Sequence, residues 1–264
     1  PKLVPQVQLN YITANLNLTF WLPVIWMSTI LFSVVFADVL PFKDPTESDF
    51  TALKARPGYE FWFGTDVLGR DIFSRIIHGA RISVTVGFFA PVLGMIIGLM
   101  FGMLAGYYRQ KLGSFIVGLM DVILAFPNIV LAMCILFFAG ATMVNLILVL
   151  SITSIPANTR IARASTLVFV GREFVLAARS QGASDLRILY REILPNILLP
   201  QLAYILSFMS IVIMIEGSLA FLGVGIPPPT PTLGSMIAQG FADINTDPHI
   251  TFLPVLFLFI TVLS

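Results

Sequence analysis

Residues 82–106 read ISVTVGFFAPVLGMIIGLMFGMLAG, an uninterrupted stretch without a charged side chain. A bilayer core about 30 Å thick requires about 20 apolar residues per helix, so this stretch is long enough to cross it. Because lipid offers backbone groups no hydrogen-bond partners, a spanning segment must be a helix or part of a closed barrel. The apolar residues are continuous and do not alternate with polar ones, so the stretch predicts a transmembrane helix.

The composition of the whole chain agrees with a membrane environment. The 264 residues are 57% hydrophobic and 11% charged, with a mean hydropathy of +0.93, whereas about 25% charged residues are usual in soluble domains. Further apolar windows lie at 18–37, 114–138, 142–157, 197–222 and 251–264. The window at 142–157 is short, and its helix is expected to continue beyond Pro156. We therefore predict an all-α, polytopic helical membrane protein with about six transmembrane helices.

The basic residues of the connections predict the orientation, because cytoplasmic loops of membrane proteins are enriched in Lys and Arg. Arginines concentrate between the windows at 142–157 and 197–222, namely Arg160, Arg163, Arg172, Arg179, Arg187 and Arg191. Residues 223–250 contain no Lys or Arg. We therefore expect the N-terminus and the segments 107–113 and 160–196 in the cytoplasm, and the segments 38–81 and 223–250 outside.

The sequence lacks the motifs of common catalytic and cofactor sites. A phosphate-binding loop requires Gly-Lys-Ser/Thr, but none of the four lysines follows a glycine. His78, Cys134 and His249, the side chains that zinc prefers, lie far apart in sequence. Cys134 is expected to be a buried packing residue. We predict no catalytic residue, no metal and no bound cofactor, and the net charge of +1 argues against binding to nucleic acid.

Two acidic residues lie inside the apolar windows, Asp121 in 114–138 and Glu216 in 197–222. A charge at the centre of a span costs about 2.5–3.5 kcal/mol on insertion scales, so such residues are retained for a reason. A helix–helix hydrogen bond and a place on a polar pathway are both open for each of them.

One face of the predicted helix at 82–106 carries glycines and therefore lacks side chains. Glycines recur there every four residues, at Gly94, Gly98, Gly102 and Gly106. Small residues at this spacing let two helix backbones approach closely in lipid. The stripe therefore predicts either a simple packing surface or a seam along which helices slide.

A second stretch, residues 173–195, reads EFVLAARSQGASDLRILYREILP between two spans. Residues recur at helical spacing on both sides of Gly182: Phe174, Ala177, Ala178 and Gln181, then Leu186, Ile188, Leu189 and Ile193. Gly182 predicts a turn, and Ser184 and Asp185 are suited to cap the second piece. We predict two short amphipathic helices whose apolar side needs a protein partner, with adsorption on the membrane surface as the alternative.

This stretch resembles the EAA signature of permease subunits in bacterial ATP-binding cassette importers, which is Glu-Ala-Ala, three residues, Gly, then Ile-Leu-Pro at a fixed distance. Here the signature reads Leu176-Ala177-Ala178, Gly182 and Ile193-Leu194-Pro195, with Leu176 in place of the family's Glu. Four further stretches are similar to the dipeptide/oligopeptide/nickel subfamily: FGTDVLGRD at 63–71, GARIS at 79–83, DVILAFP at 121–127 and FLGVGIPPPTP at 221–231. The chain resembles the second, C-type permease of the pair in such importers.

The resemblance implies a type I importer permease fold. It implies an N-terminal transmembrane helix and extracytoplasmic segment over 1–81, and a core permease domain over 82–264 with a cytoplasmic coupling segment at about 160–196. In such importers two related permeases form a pathway, and each inserts its coupling segment into a separate ATPase subunit that binds ATP and Mg. The residues implied at that dock are Glu173, Phe174, Leu176, Ala177, Ala178, Gly182, Ala183, Asp185 and Pro195.

The expected partners are therefore a sister permease, two ATPase subunits, an extracytoplasmic substrate-binding protein and the lipid of a bacterial inner membrane. Asp121 and Glu216 are candidates for the translocation pathway. An ion-driven secondary transporter is the alternative from another class, but the inverted repeats usual in such folds are not visible. An intramembrane enzyme lacks a catalytic set. The solute stays open among peptides, nickel, metal chelates, haem and glutathione.

Overall fold

The computed structural model describes residues 18–264 and is helical throughout its regular structure. The prediction of an all-α fold is confirmed. In chain order the helices are α1 Leu18–Val35, α2 Ile72–Tyr107, α3 Lys111–Leu124, α4 Asn128–Ala139, α5 Met143–Phe169, α6 Glu173–Ser180, α7 Asp185–Phe221, α8 Leu233–Gly240 and α9 His249–Leu263. A short 3-10 turn, Phe241–Asp243, follows α8.

Three of these helices, α2, α5 and α7, are long and apolar enough to cross a membrane. The pair of α3 and α4 is a fourth candidate, because together they have the length and composition of one span. Phe20–Val35 within α1 and the whole of α9 are apolar but shorter. The described residues thus hold three or four candidate spans where the sequence predicts about six. The predicted cytoplasmic N-terminus lies outside the described residues.

The window at 114–138, which we predicted as one helix, is broken. Helix α3 ends at Leu124, α4 begins at Asn128, and the two axes differ by 80°. Pro127 lacks an N–H group and disfavours helical backbone at Phe126, which explains the position of the break. Cys134 of α4 is exposed, so the prediction that it is buried is wrong. In contrast, α5 continues through Pro156 to Phe169, as expected.

The chain divides into two compact units. The first comprises the residues up to Arg81 together with Pro229–Ser264, and the second is Ile82–Pro228. Residues 229–264 therefore group with the segment that precedes residue 82.

A buried ion cluster organises the first unit. The Asp66 carboxylate accepts hydrogen bonds from the Leu68 and Arg70 backbone N–H groups and from Arg70 Nε at 2.7 Å. Arg75 Nε lies 3.4 Å from the same carboxylate, and Arg70 also donates to Gln239 of α8 at 3.0 Å. These contacts compensate the charge of the Asp66 carboxylate, which offsets the free-energy cost of burying it. The stretch at 63–71 is therefore a fixed turn that ties the segment after α1 to α8.

Candidate coupling segment and intramembrane polar residues

The segment at 173–195 has the predicted helix–Gly–helix order. Helix α6 ends at Ser180, and Gly182 follows with φ of +78°, a backbone angle that favours glycine. The Ser184 hydroxyl accepts a hydrogen bond from the Arg187 N–H, so Ser184 caps the next helix as expected. That helix is not a second short piece, however, because α7 runs without interruption from Asp185 to Phe221. The segment is therefore one short helix attached to the end of a long one.

The Ile-Leu-Pro part of the signature lies where α7 changes its winding. Residues Ile188–Ile193 form a π-helical turn, and Pro195 lies in the first turn of the α-helical part that follows. Proline cannot donate a backbone hydrogen bond, and its ring would crowd the carbonyl of Arg191. A wider π turn directly before it relieves this conflict. Pro195 thus marks the junction between the coupling segment and the membrane span.

The buried side of the coupling segment packs inside the second unit, to which the segment belongs. Val175 of α6 and Ile188, Leu189 and Ile193 of α7 form a cluster with Leu99, Met103 and Ala162. Ala178 and Ala183 lie partly buried against the same cluster. This contact fixes the segment to α2 and α5.

The exposed part of the segment carries apolar residues among polar ones, and we call this apolar set the coupling face. It comprises Phe174, Leu176, Ala177, Leu186 and Tyr190, all exposed. The sequence pattern had grouped Phe174 and Leu186 with residues that are buried, whereas the structure assigns them to the surface. Glu173 and Gly182 are also exposed, and no atom of residues 18–264 outside the neighbouring backbone lies within 4 Å of the Cβ position of Gly182.

Asp185 is held by two tyrosines from the end of α2. Tyr107 and Tyr108 donate their hydroxyl hydrogens to its two carboxylate oxygens at 2.6 and 2.9 Å, and Arg179 donates to the Tyr107 hydroxyl at 3.0 Å. The hydrogen bond to the carboxylate raises the pKa of Tyr108. Sequence reasoning missed this contact. The only signal is the adjacent tyrosine pair at the end of an apolar run, where amphipathic rings usually lie at the membrane interface.

The glycine stripe of α2 faces α5 residue by residue. The nearest side chains to Gly94, Gly98, Gly102 and Gly106 are Ser154, Asn158, Ala162 and Thr166, respectively. Both series rise along the chain in steps of four, so the two helices run parallel. A Cβ atom on Gly98 would lie 2.5 Å from the Asn158 Cβ, and one on Gly106 would lie 2.6 Å from the Thr166 Cβ. The stripe therefore lets the two backbones approach closely.

The two intramembrane acids have different surroundings. Glu216 of α7 is 1% exposed and accepts a hydrogen bond from the Ser83 hydroxyl of α2 at 2.7 Å. Asp121 of α3 lies on the surface and pairs with Arg160 of α5 at 2.7 Å. Glu216 thus joins two helices inside the unit, and Asp121 joins two helices at its surface. Among residues 18–264, no three His, Cys, Asp or Glu side chains converge in a group that could hold a metal ion.

Comparison with known proteins assigns the family. The profile described as "Binding-protein-dependent transport system inner membrane component" matches residues 98–264. The chain belongs to this family.

Its relatives include three glutathione transport system permease proteins GsiD. The protein of Pectobacterium atrosepticum is 38% identical, and those of Shigella dysenteriae and Escherichia coli O157:H7 are 39% identical. Each similarity extends over 226 residues, which are 86% of this chain and 75% of the relative.

Solved structures agree on the fold. Two crystal forms of the inward-facing MetNI methionine ABC transporter contain a chain with a similar fold, at TM-scores of 0.59 and 0.61 and identities of 20% and 19%. The similarity covers 72% and 73% of this chain, and 90% and 91% of the other. The chain is therefore a multi-pass inner-membrane permease subunit of a binding-protein-dependent ATP-binding cassette importer, and the ATPase is a separate subunit. The predicted family and transport function are confirmed.

Proposed function

We propose that this permease imports glutathione or a related short peptide-like solute. The observation that carries the proposal is the 38–39% identity to glutathione permeases over 226 residues. A solute of this class carries carboxylate and ammonium groups, which require polar partners along a membrane pathway. Nickel, haem and metal chelates, which the subfamily resemblance leaves open, receive no such support.

We further propose that the coupling face docks on the ATPase. Large apolar side chains that are exposed together usually mark a protein interface. Phe174, Leu176 and Leu186 are such side chains, and they lie on the segment that carries the family signature. Glu173, Ala178, Gly182, Ala183 and Pro195 would shape the dock, and Asp185 would hold it in place through the tyrosines. Leu176 would make an apolar contact where the family's Glu makes a polar one.

The working assembly that we propose is of type I. A sister permease, two ATPase subunits and an extracytoplasmic binding protein complete it. In that assembly α1 and α9 complete a set of about six spans, the N-terminus is cytoplasmic, and residues 82–264 form the core behind an N-terminal region of 1–81. The inner membrane supplies the lipid. Glu216 holds α2 against α7 beside the pathway, and Asp121 lies on the pathway itself.

A matched pair of substitutions tests the dock. Leu176→Arg changes a side chain of the coupling face, and Leu112→Arg makes the same change at a similarly exposed leucine near the start of α3. With the sister permease and ATPase subunits co-expressed, we expect the first variant to lose ATPase on purification and the second to keep it. Retention of the ATPase by Leu176→Arg, with uptake unchanged, would contradict the proposed dock.

The solute is tested separately. The complex is reconstituted in proteoliposomes with its binding protein, and ATP-dependent uptake of labelled glutathione, a dipeptide and nickel is compared. We expect uptake of glutathione or the dipeptide. Uptake of nickel alone would overturn the proposed solute class and leave the dock unaffected.

A further inference from the structure

An ion pair between Asp121 and Arg160 joins helices α3 and α5. Arg160 Nη2 donates to Asp121 Oδ1 at 2.7 Å. The two side chains are 57% and 53% exposed, so the pair lies on the surface of the chain. Arg160 lies in α5, a candidate span, and Asp121 lies in α3, which forms a candidate span together with α4.

The pair lies well inside the length of these helices. Asp121 comes ten residues after the start of α3 at Lys111, which is about 15 Å along a helix. Arg160 comes nine residues before the end of α5 at Phe169, which is about 13 Å. The glycine register agrees, since Arg160 falls between the α5 residues that face Gly98 and Gly102. The apolar window of α5 itself ends at residue 157, but the register with α2 places Arg160 level with Gly98–Gly102, inside the uncharged run at 82–106. The pair is therefore within the depth of the α2 span, and Arg160 lies deeper than the sequence-based cytoplasmic boundary at 160.

Charged side chains at such a depth do not face acyl chains. In membrane proteins they face the interior of a bundle or a water-filled cavity, and they pair with one another. The interior of this chain is not available to the pair, because half of each side chain is exposed. The exposed half must then face water or another polar surface inside the assembled transporter.

The surface of α3 around Asp121 supports this orientation. Small residues surround Asp121 along one stripe of the helix, where Ser114, Gly118 and Ala125 are all exposed. The neighbouring stripe carries bulky apolar side chains, Phe115, Leu119, Val122 and Phe126, which suit lipid or protein packing. The helix is therefore two-sided, and the charged side has room next to it.

We propose that the Asp121–Arg160 pair lines the translocation pathway and binds the charged groups of a zwitterionic solute. Arginine has five N–H donors, so Arg160 keeps donors that can bind a carboxylate while it contacts Asp121. The Asp121 carboxylate accepts from an ammonium group of the same solute. The solute class rests on the proposed function, whereas the position on the pathway follows from the ion pair and its exposure.

Thiol accessibility tests the position. The complete transporter is reconstituted in proteoliposomes with Cys134→Ser in this chain, and Asp121→Cys is compared with Val122→Cys, its neighbour on the bulky stripe. Both are treated with membrane-impermeant methanethiosulfonates, and modification of this chain is followed by mass spectrometry. We expect Cys at position 121 to react, faster with the anionic reagent than with the cationic one because Arg160 remains beside it. Cys at position 122 should react at least about tenfold more slowly, since its thiol ionises poorly away from water.

Solute protection tests the binding. S-methylglutathione, which has no free thiol to consume the reagent, is added with the binding protein and is expected to slow modification at position 121. No reaction at position 121 in a transporter that takes up solute would overturn the position on the pathway. A reaction that S-methylglutathione leaves unchanged would overturn the binding. If the parent complex takes up no glutathione or peptide, the proposed function fails, yet labelling at position 121 still decides the position.

Charge reversal gives an independent test. Asp121→Arg and Arg160→Asp each place two like charges together, and the double variant restores an opposite pair. We expect each single variant to lose uptake by about tenfold or more and the double variant to recover most of it, because coupled residues are strongly non-additive. The parent, single and double variants are compared for membrane insertion and ATPase binding. Singles that insert, bind the ATPase and take up solute like the parent would contradict the proposal.

Discussion

The glycine register between α2 and α5 makes one prediction especially sharp, the effect of Gly98→Ala. The added Cβ would lie 2.5 Å from the Asn158 Cβ, 2.9 Å from the Ile155 carbonyl oxygen and 3.0 Å from the Thr159 backbone nitrogen. Carbon atoms in contact normally stay about 3.5–4.0 Å apart. None of the three atoms can move by a change of rotamer, so the backbones of α2 and α5 must separate by about 1 Å at this turn.

The expected cost follows from two opposing effects. Overpacking of a close contact costs about 1–3 kcal/mol. Alanine in place of glycine in a helix recovers up to about 1 kcal/mol. With three contacts at 2.5–3.0 Å, the overpacking should lie in the upper half of its range, about 2–3 kcal/mol, so the net destabilisation should be about 1–2 kcal/mol. For a chain of this size that corresponds to a fall of roughly 2–8 °C in the melting temperature.

Gly118→Ala is the control, because Gly118 is also inside a helix and, in the described part of the chain, no atom outside its own helix backbone lies within 4 Å of its Cβ position. It should leave the melting temperature unchanged or raise it slightly. The assay is thermal unfolding of the purified permease complex in one detergent and at one heating rate, which matters because such unfolding is often irreversible. If Gly98→Ala melts at the parent temperature, or if both variants lose the same stability, the close approach of α2 and α5 is wrong.

Three further predictions concern the coupling segment and Glu216. Gly182→Ala should reduce co-purification of the ATPase, since a left-handed backbone costs an alanine about 1–2 kcal/mol. Gly171→Ala is the control, because Gly171 has as much space around its Cβ position and no positive φ, and it should leave co-purification of the ATPase unchanged. Tyr107→Phe combined with Tyr108→Phe removes both hydrogen bonds to Asp185, so ATP hydrolysis should continue while the solute taken up per ATP hydrolysed falls. If this ratio is unchanged in proteoliposomes, the two hydrogen bonds do not contribute to coupling. Glu216→Gln keeps an acceptor for Ser83 and should melt close to the parent, whereas Glu216→Leu should be about 1–3 kcal/mol less stable, because a buried hydroxyl loses its acceptor. Equal melting temperatures of the two Glu216 variants would show that the hydrogen bond between Ser83 and Glu216 does not stabilise the fold.

Much of this architecture could be predicted because membrane helices obey local rules. A long apolar run must be helical in lipid, which is why the spans α2, α5 and α7 were visible in the sequence. The turn at Gly182 and the cap at Ser184 are also local, since each depends on the backbone preference of one residue.

Features that depend on contacts between distant residues could not be predicted. Nothing in sequence pairs Asp121 with Arg160, or Asp185 with Tyr107 and Tyr108, since each contact requires the arrangement of separate helices. The break at Pro127 is a different case. Prolines are tolerated inside spans when neighbours satisfy the freed backbone groups, and Pro156 is such a case. The sequence alone does not tell the two prolines apart.

The continuity of α7 gives the coupling segment a mechanical meaning that two separate short helices would not have. One helix of 37 residues carries Leu186 of the coupling face near its start and Glu216 near its end. The two residues are 30 positions apart, which is about 45 Å along a helix. Movement of the ATPase at the coupling face would therefore act on a rigid element that is hydrogen-bonded to α2 through Glu216 and Ser83. This element can yield at the π turn at Ile188–Ile193, because such turns interrupt the regular hydrogen-bond ladder, and at Pro200, which removes one backbone hydrogen bond inside the helix. Pro195 lies directly after that π turn, so a substitution at Pro195 should change how much ATPase movement reaches the span.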